Sequence, residues 1–367
     1  MIDACDGCLR RAFLVAHLAP RIAGLLDNRA PRIAGLLALP DDAFVAAAAG
    51  EDRDGAWAFL DGFQVDWARE ALRKLQVVAL CRHADEYPAP VHQLGDPPAV
   101  LFGLGAVEAF RALQENPAVT VVGSRRASPY GTEVAYALGR GLGAAGVPVV
   151  SGLAVGIDGT AHRGCLDGSG VTVAVLACGP DVVYPSRHRR LHERIRAKGI
   201  VLSELPPGTR PFRWSFPARN RIMAALARMT VVVEAAEPSG SLITADFARD
   251  LGRAVAAVPG RVTSSIARGT NGLLKDGAAP VTGTQDVLDE LFGVGVRRAP
   301  PVAEPHPEPT DPRQRAVLEA TERFTSIDAI AGELKLATSE VRAALGRLEA
   351  EGWLVRHDLG GWERAAI

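Results

Sequence analysis

Residues 212–221 read FRWSFPARNR. Arg213, Arg219 and Arg221 alternate there with Phe212, Trp214 and Phe216. Guanidinium groups fork onto phosphate oxygens. Aromatic faces stack on bases, each stacked base being worth about 1–3 kcal/mol. The competing reading is that Trp214 and Phe216 are core residues and the arginines reach past them to water; the density of cations favours binding. Asn220, between the two arginines, is read as orienting backbone. An apolar strand follows at 229–233, and then Pro238-Ser239-Gly240-Ser241 opens another helix. Amides and hydroxyls at a helix start cradle phosphate.

Similar chemistry recurs where other strands end. Gly123-Ser124-Arg125-Arg126 precedes Pro129, the start of a helix. Glycine permits the tight turn, the helix amides attract an anion and Arg125 adds a fork. SGLAVGIDGTAH at 151–162 makes a flexible turn with Asp158 placed as an N-cap. It is neither GxGxxG nor a Walker loop, so neither a dinucleotide nor ATP is indicated and no cofactor is expected. His162 lacks a nucleophile or acid partner and is read as a structural hydrogen-bonding group. ACGPDVVYPSRHRRL at 177–191 offers Tyr184 for stacking, and Arg187, Arg189 and Arg190 near a helix start, where they oppose the dipole. Paired carboxylates, metal-ligand spacing and nucleophile–base pairs are all missing, so the expectation is a binding protein with no catalytic residues and no metal.

The elements that must hold these residues follow from periodicity. Over 117–292, β-branched runs at 119–122, 147–150, 171–176, 200–202, 230–233 and 254–258 alternate with amphipathic helices, for example 130–142 and 186–198. This predicts the α/β class, a parallel sheet covered on both faces, with ligands at the carboxyl ends of the strands. Residues 1–75 predict a bundle of four or five short helices. Leu14, Leu18, Ile22, Leu25 and Leu26 keep helical spacing, as do Trp67, Ala71, Leu72 and Leu75. This part is read as a packing or partner domain. Residues 76–116, rich in proline, form a connector with short strands at 77–80 and 100–103. Residues 293–312 are a proline-rich acidic linker. In 313–367, helices at 313–322, from Ser326 and from Thr338 to about 351 precede a hairpin at 354–364 turning at Gly360-Gly361, a winged-helix pattern. Its third helix mixes Arg342 and Arg347 with Glu340, Glu349 and Glu351. That is a poor major-groove reader, and a protein contact or weak DNA role is expected.

The whole chain, 367 residues, carries a formal net charge of -1 with 48% hydrophobic and 23% charged residues. It is no polycation, so affinity for nucleic acid must come from a local basic face. No apolar run reaches the roughly 18–20 residues needed to span a membrane, and no signal peptide is read. Five irregularly spaced cysteines fit reduced thiols in the cytoplasm. Cys5 and Cys8 form a CxxC with no second pair, and are read as two thiols, not half a zinc site.

Taken together, VVGSRRASPYG, VVSGLAVGIDGTAHRG, ACGPDVVYP, SELPPG, FPARNRIMAALA, VVVEAAEPSGSLITADFARDLGR, AVPG and GTNGLLKDGA resemble the DprA/Smf family of DNA-processing proteins. The resemblance spans about 121–278, in order, and the flanking segments share the family's layout. It implies a Rossmann-like core with an N-terminal helical, SAM-like domain and a C-terminal winged helix. It further implies a cytoplasmic protein of natural transformation that binds and shields incoming single-stranded DNA. Such a protein helps load the RecA recombinase and forms a homodimer through the Rossmann-like domain. By motif, the phosphate-gripping arginine falls on Arg125. The cation and aromatic ahead of the RNR triplet fall on Arg213 and Phe216. Arg219, Asn220 and Arg221 carry the triplet, and Ser239, Gly240 and Ser241 the small turn. The rival is a nucleotide hydrolase of the phosphoribohydrolase, lysine-decarboxylase-like type. Those enzymes carry PGGxGTxxE with a catalytic glutamate; the corresponding EPSGSLITADFA has none there. A transcription regulator acting through the winged helix is disfavoured by the mixed charge of its third helix.

Overall fold

A computed structural model of the chain describes residues 2–25, 31–106, 108–299, 309–321, 323–324, 326–351, 353–356 and 362–364. Leu26, residues 300–308 of the expected linker and the expected turn at Gly360-Gly361 lie outside them. Strand β1 (Ile2–Asp3) precedes five helices: α1 (Asp6–Leu25), α2 (Pro31–Ala38), α3 (Asp41–Ala48), α4 (Arg53–Gly62) and α5 (Val65–Lys74). Leu14, Leu18 and Ile22 are fully buried along one face of α1, as their spacing predicts, whereas Leu25 is exposed. In α5 the buried face is Ala68 and Leu72, one turn apart; Trp67 and Leu75 point to water. Arg69 on that helix reaches Asp6 at 2.7 Å and so ties α5 to the start of α1.

The stretch expected as a connector contributes to the sheet. It supplies β2 (Val78–Cys81), the short helix α6 (Ala89–His92), β3 (Val100–Gly105) and α7 (Glu108–Glu115). The alternating region follows as β4 (Val119–Val122), α8 (Pro129–Ala144), β5 (Val149–Ser151), α9 (Ile157–Asp167), β6 (Thr172–Val175), α10 (Arg189–Lys198), β7 (Ile200–Ser203), α11 (Ser215–Leu226), β8 (Met229–Val232), α12 (Gly240–Asp250), β9 (Ala254–Ala257), α13 (Arg268–Lys275), β10 (Ala279–Pro280) and α14 (Thr284–Phe292). One sheet runs β1-β2-β3-β7-β6-β5-β4-β8-β9-β10. Strands β7 to β10 in that order are mutually parallel, and β3 is antiparallel to both β7 and β2.

Burial on both faces explains the unbroken apolar runs. Every residue of β4, β6, β7 and β8 is buried. Along β4, Val119 and Val121 enter one apolar cluster with Leu138 and Leu142 of α8, while Val122 enters the opposite cluster with Ile222 and Met223 of α11. Each such side chain contributes about 1.5–3 kcal/mol relative to exposure. Ser128 caps α8, accepting from the Gly131 amide at 3.0 Å with Pro129 in the first turn. The helical N-terminal part shares a core with the sheet. Trp214 packs among Leu14, Leu18, Ile22 and Phe44, and its indole donates to Ala19 O at 3.0 Å.

Near the C-terminus, α15 (Pro312–Thr321), α16 (Ile327–Leu334), α17 (Thr338–Ala350) and the antiparallel pair β11 (Leu354–Arg356) and β12 (Trp362–Arg364) form a winged helix. Ser326 caps α16 as its position predicts, accepting from Ala329 N at 3.2 Å. Among the described residues no helix is long and apolar enough to cross a membrane.

Candidate nucleic-acid interface

Loops at the carboxyl ends of β4, β5 and β6 meet the start of α11 around a cavity of about 170 Å³. Its lining includes Arg125, Gly152, Tyr184, Arg187, Phe216 and Arg219. Residues far apart in sequence are brought together because parallel strands all end on one edge. Arg125 is exposed, and its guanidinium carbon lies 5.0 Å from the centre of the Phe216 ring. Tyr184 also packs near Phe216, with ring centres 5.6 Å apart at a tilt of 58°. A cation over one aromatic and beside another is a geometry in which an inserted base stacks while its phosphate is held.

The backbone that presents Arg125 is tightly set. Any side chain at Gly123 would put its Cβ 2.7 Å from Ile157 and 2.9 Å from the Glu234 carbonyl. Ser124 donates its amide to Glu234 O at 2.7 Å, and its carbonyl accepts from Ile157 N at 3.2 Å. Its hydroxyl accepts from Arg126 N at 3.0 Å. Gly123 and Ser124 thus aim the loop, while Arg125 is the residue of the three that lines the cavity.

Arg219 forms the floor. It is buried, donating from Nη1 to Val175 O at 2.5 Å and from Nε to Asn220 Oδ1 at 3.1 Å. Its guanidinium lies flat against Gly152, where a Cβ would come within 1.7 Å of Nη1. Burial works against its charge; Asp158 beneath supports it and Arg125 repels it. Burial likewise pushes the Asp158 carboxyl up, against the pull of Arg219 and of the Gly152 amide, which it accepts at 3.1 Å. Two arginines held within mutual repulsion above a single buried carboxylate leave the cavity cationic, so an anion is stabilised there.

Other predicted residues lie elsewhere. Asn220 bridges Arg219 to the next turn, donating from Nδ2 to Gly240 O at 3.2 Å, which fits the orienting role read for it. In that turn Ser239 caps α12, its hydroxyl 2.8 Å from that of Ser241, and Ser239 and Gly240 reach the surface. Arg213 is exposed ahead of α11. None of these five lines the cavity. Two readings are corrected. Arg221 does not reach out to hold phosphate: it is fully buried, with its donors taken by Asp96, Glu204 and carbonyl oxygens. Trp214 is a core residue and not a stacking platform. Tyr184 and Arg187, noted only as options at the third strand's end, do line the cavity.

The remaining polar groups nearby are committed to structure. Glu234 is buried and accepts from the Ser128 amide at 2.9 Å and from its hydroxyl. Burial pushes the Cys178 thiol up to about 12, so it stays protonated and is no nucleophile. His162 donates from Nδ1 to Thr172 Oγ1 at 2.7 Å, since that hydroxyl itself donates to Val149 O. Burial, with His188 and Arg219 nearby, holds its ring down to about 3 from 6.5. Below about pH 6.5 the unfolded chain takes up a proton that the fold excludes, so this contribution is present above that pH and is lost on acidification. The unfolding midpoint in denaturant is therefore expected to fall between about pH 7 and pH 5, and to fall less steeply in His162→Asn.

The model for DNA recombination-mediator protein A matches residues 78–292, and that for the DprA winged helix domain matches residues 300–358. The chain belongs to the DNA recombination-mediator protein A family. Its similarity to the putative DNA processing protein DprA of Mycobacterium tuberculosis is 43% identity over 274 residues, covering 73% of this chain and 69% of that protein. Among solved members of the family, DNA processing protein A from Streptococcus pneumoniae superposes with a TM-score of 0.61 at 32% identity, covering 77% of this chain and 96% of that one. The Helicobacter pylori DNA processing protein A, whose single-stranded DNA binding mode that structure describes, gives 0.53 at 30% identity, over 59% and 96%.

Proposed function

We propose that this protein binds single-stranded DNA at the carboxyl edge of its sheet and acts as a recombination mediator. The observation that carries the reading is the cluster of Arg125, Phe216 and Tyr184 lining one cavity with the buried Arg219. Arg125, Arg187 and Arg219 neutralise phosphate, Phe216 and Tyr184 stack bases, and Arg213 with the Ser239-Gly240-Ser241 turn extends the track along the same edge. The cavity has room for one unstacked base and not for a base pair, which favours single strands. Membership of the family supports the wider role: shielding incoming strands in the cytoplasm during natural transformation, loading RecA, and working as a homodimer through the Rossmann-like domain.

A hydrolase would need a carboxylate free to act at the cavity. Asp158 is engaged by the Gly152 amide and faces Arg219, and Glu234 holds Ser128. The test is fluorescence anisotropy with a labelled single strand and its duplex, beside an assay of base release from nucleoside monophosphates. Preference for the single strand is expected, with log affinity falling against log salt by about 0.7 per neutralised phosphate, hence a slope near -2 for three arginines. Equal affinity for duplex, or release of free base, would overturn the reading.

A further inference from the structure

At the far margin of the sheet from this cavity, four side chains converge. Cys5 and Cys8 open α1, Cys81 closes β2, and His83 lies in the turn that follows. Their three sulfur atoms and one ring nitrogen all lie within 4.8 Å of one another. His83 Nδ1 is 3.4 Å from Cys8 Sγ, 3.6 Å from Cys5 Sγ and 4.0 Å from Cys81 Sγ. We propose that Cys5, Cys8, Cys81 and His83 form a structural zinc site.

Geometry and donor chemistry both support this. A tetrahedral zinc with bonds of about 2.3 Å to sulfur and 2.05 Å to nitrogen sets each S···N separation near 3.5 Å. The three observed separations surround that value. Three thiolates and an imidazole are a soft donor set that favours zinc over hard cations, and four protein ligands leave no open position, as in structural sites. The chain between the pairs is long, so the coincidence does not come from local geometry: His83 and Cys8 are 75 positions apart. Secondary contacts suit thiolates. The Cys5 amide points to Cys81 Sγ at 3.5 Å, and the positive end of a 20-residue helix starts at this cluster. The ring's Nε2 remains outside the cluster on an exposed residue. All five cysteines are free thiols. From sequence alone the CxxC lacked a second pair; the fold supplies it as Cys81-x-His83.

Such a centre explains how the N-terminus is held. β1 is only two residues long and, among the described residues, pairs with β2 alone. A metal bridging the start of α1 to the end of β2 fixes that helix on the sheet extension, where Cys8, Leu9 and Ala12 pack against Ala79 and Phe102.

The test is metal analysis of the reduced full-length chain, purified without chelator and supplied with zinc before dialysis. About one zinc per chain is expected. Cys5→Ser and His83→Asn should each lower metal retention at least about tenfold; both residues are exposed, and circular dichroism checks that the variants fold. Cobalt(II) in place of zinc should give tetrahedral d–d bands and a thiolate-to-cobalt charge-transfer band, both lost in the variants. Retention no greater than in the Cys5→Ser/His83→Asn double variant, or a Cys5–Cys8 disulfide re-forming in place of metal uptake, would overturn the proposal.

Discussion

Phe216→Ala is expected to weaken single-strand binding by about 5- to 150-fold, the value of one stacked base, with little change in stability. The ring is half-buried, lies near both Arg125 and Tyr184, and belongs to none of the apolar clusters among the described residues. Arg125→Ala should weaken binding by a similar factor, and it should also flatten the salt dependence by about 0.7 because one phosphate is no longer neutralised. Phe216→Ala should leave the salt slope unchanged. That difference separates the stacking contribution from the ionic one in a single titration series. The two losses are expected not to add, because the guanidinium rests on the ring and each holds the other in place. Anisotropy titrations at several salt concentrations measure all four corners of the cycle. Wild-type affinity in both single variants would place the strand elsewhere on the protein.

The parallel sheet was legible because its strands are buried on both faces and so read as short β-branched runs between amphipathic helices. Arg125 and Phe216 were legible for the same reason: once the strands are known, their carboxyl-end loops must share an edge. Arg219 and Arg221 could not be told apart as cations in a string. In a helix, residues two apart project about 200° apart; Arg219 therefore faces the cavity and Arg221 the opposite side, towards Asp96 and Glu204. Trp214 misled because its burial depends on the N-terminal helices, whose docking no local pattern specifies. The convergence of Cys5 and Cys8 with Cys81 and His83 was hidden in the same way. It depends on β1 pairing in parallel with β2, a contact between residues more than seventy positions apart that leaves no periodic signal.

Arg221→Met should lower stability by about 3–5 kcal/mol while leaving strand binding nearly intact, because it strips the cation from two buried carboxylates. Nε donates to Asp96 Oδ2 at 2.9 Å; Nη1 and Nη2 fork onto Glu204 at 2.9 and 2.8 Å; Ala218 O and Asp96 O take one donor each. Five N–H groups thus meet five acceptors inside the protein, joining the loop before β3, the end of β7 and α11. Burial already holds the Asp96 carboxyl up at about 6, with Arg221 pulling the other way and Glu204 adding to the rise. Without the arginine the Asp96 carboxyl is driven further towards its neutral form. The folded variant then binds protons that the unfolded chain releases at neutral pH, so its deficit should narrow as the pH is lowered from about 7 to about 5. Arg221→Lys retains a charge but not the fork, and should fall between the two. Thermal unfolding by circular dichroism at several pH values measures the loss. Anisotropy well below the transition, with affinity expected within about threefold of wild type, checks the other half. A variant that keeps its stability and loses the strand would return Arg221 to the interface; one that loses stability and keeps the strand identifies it as a structural clamp between α11, the loop before β3 and the end of β7.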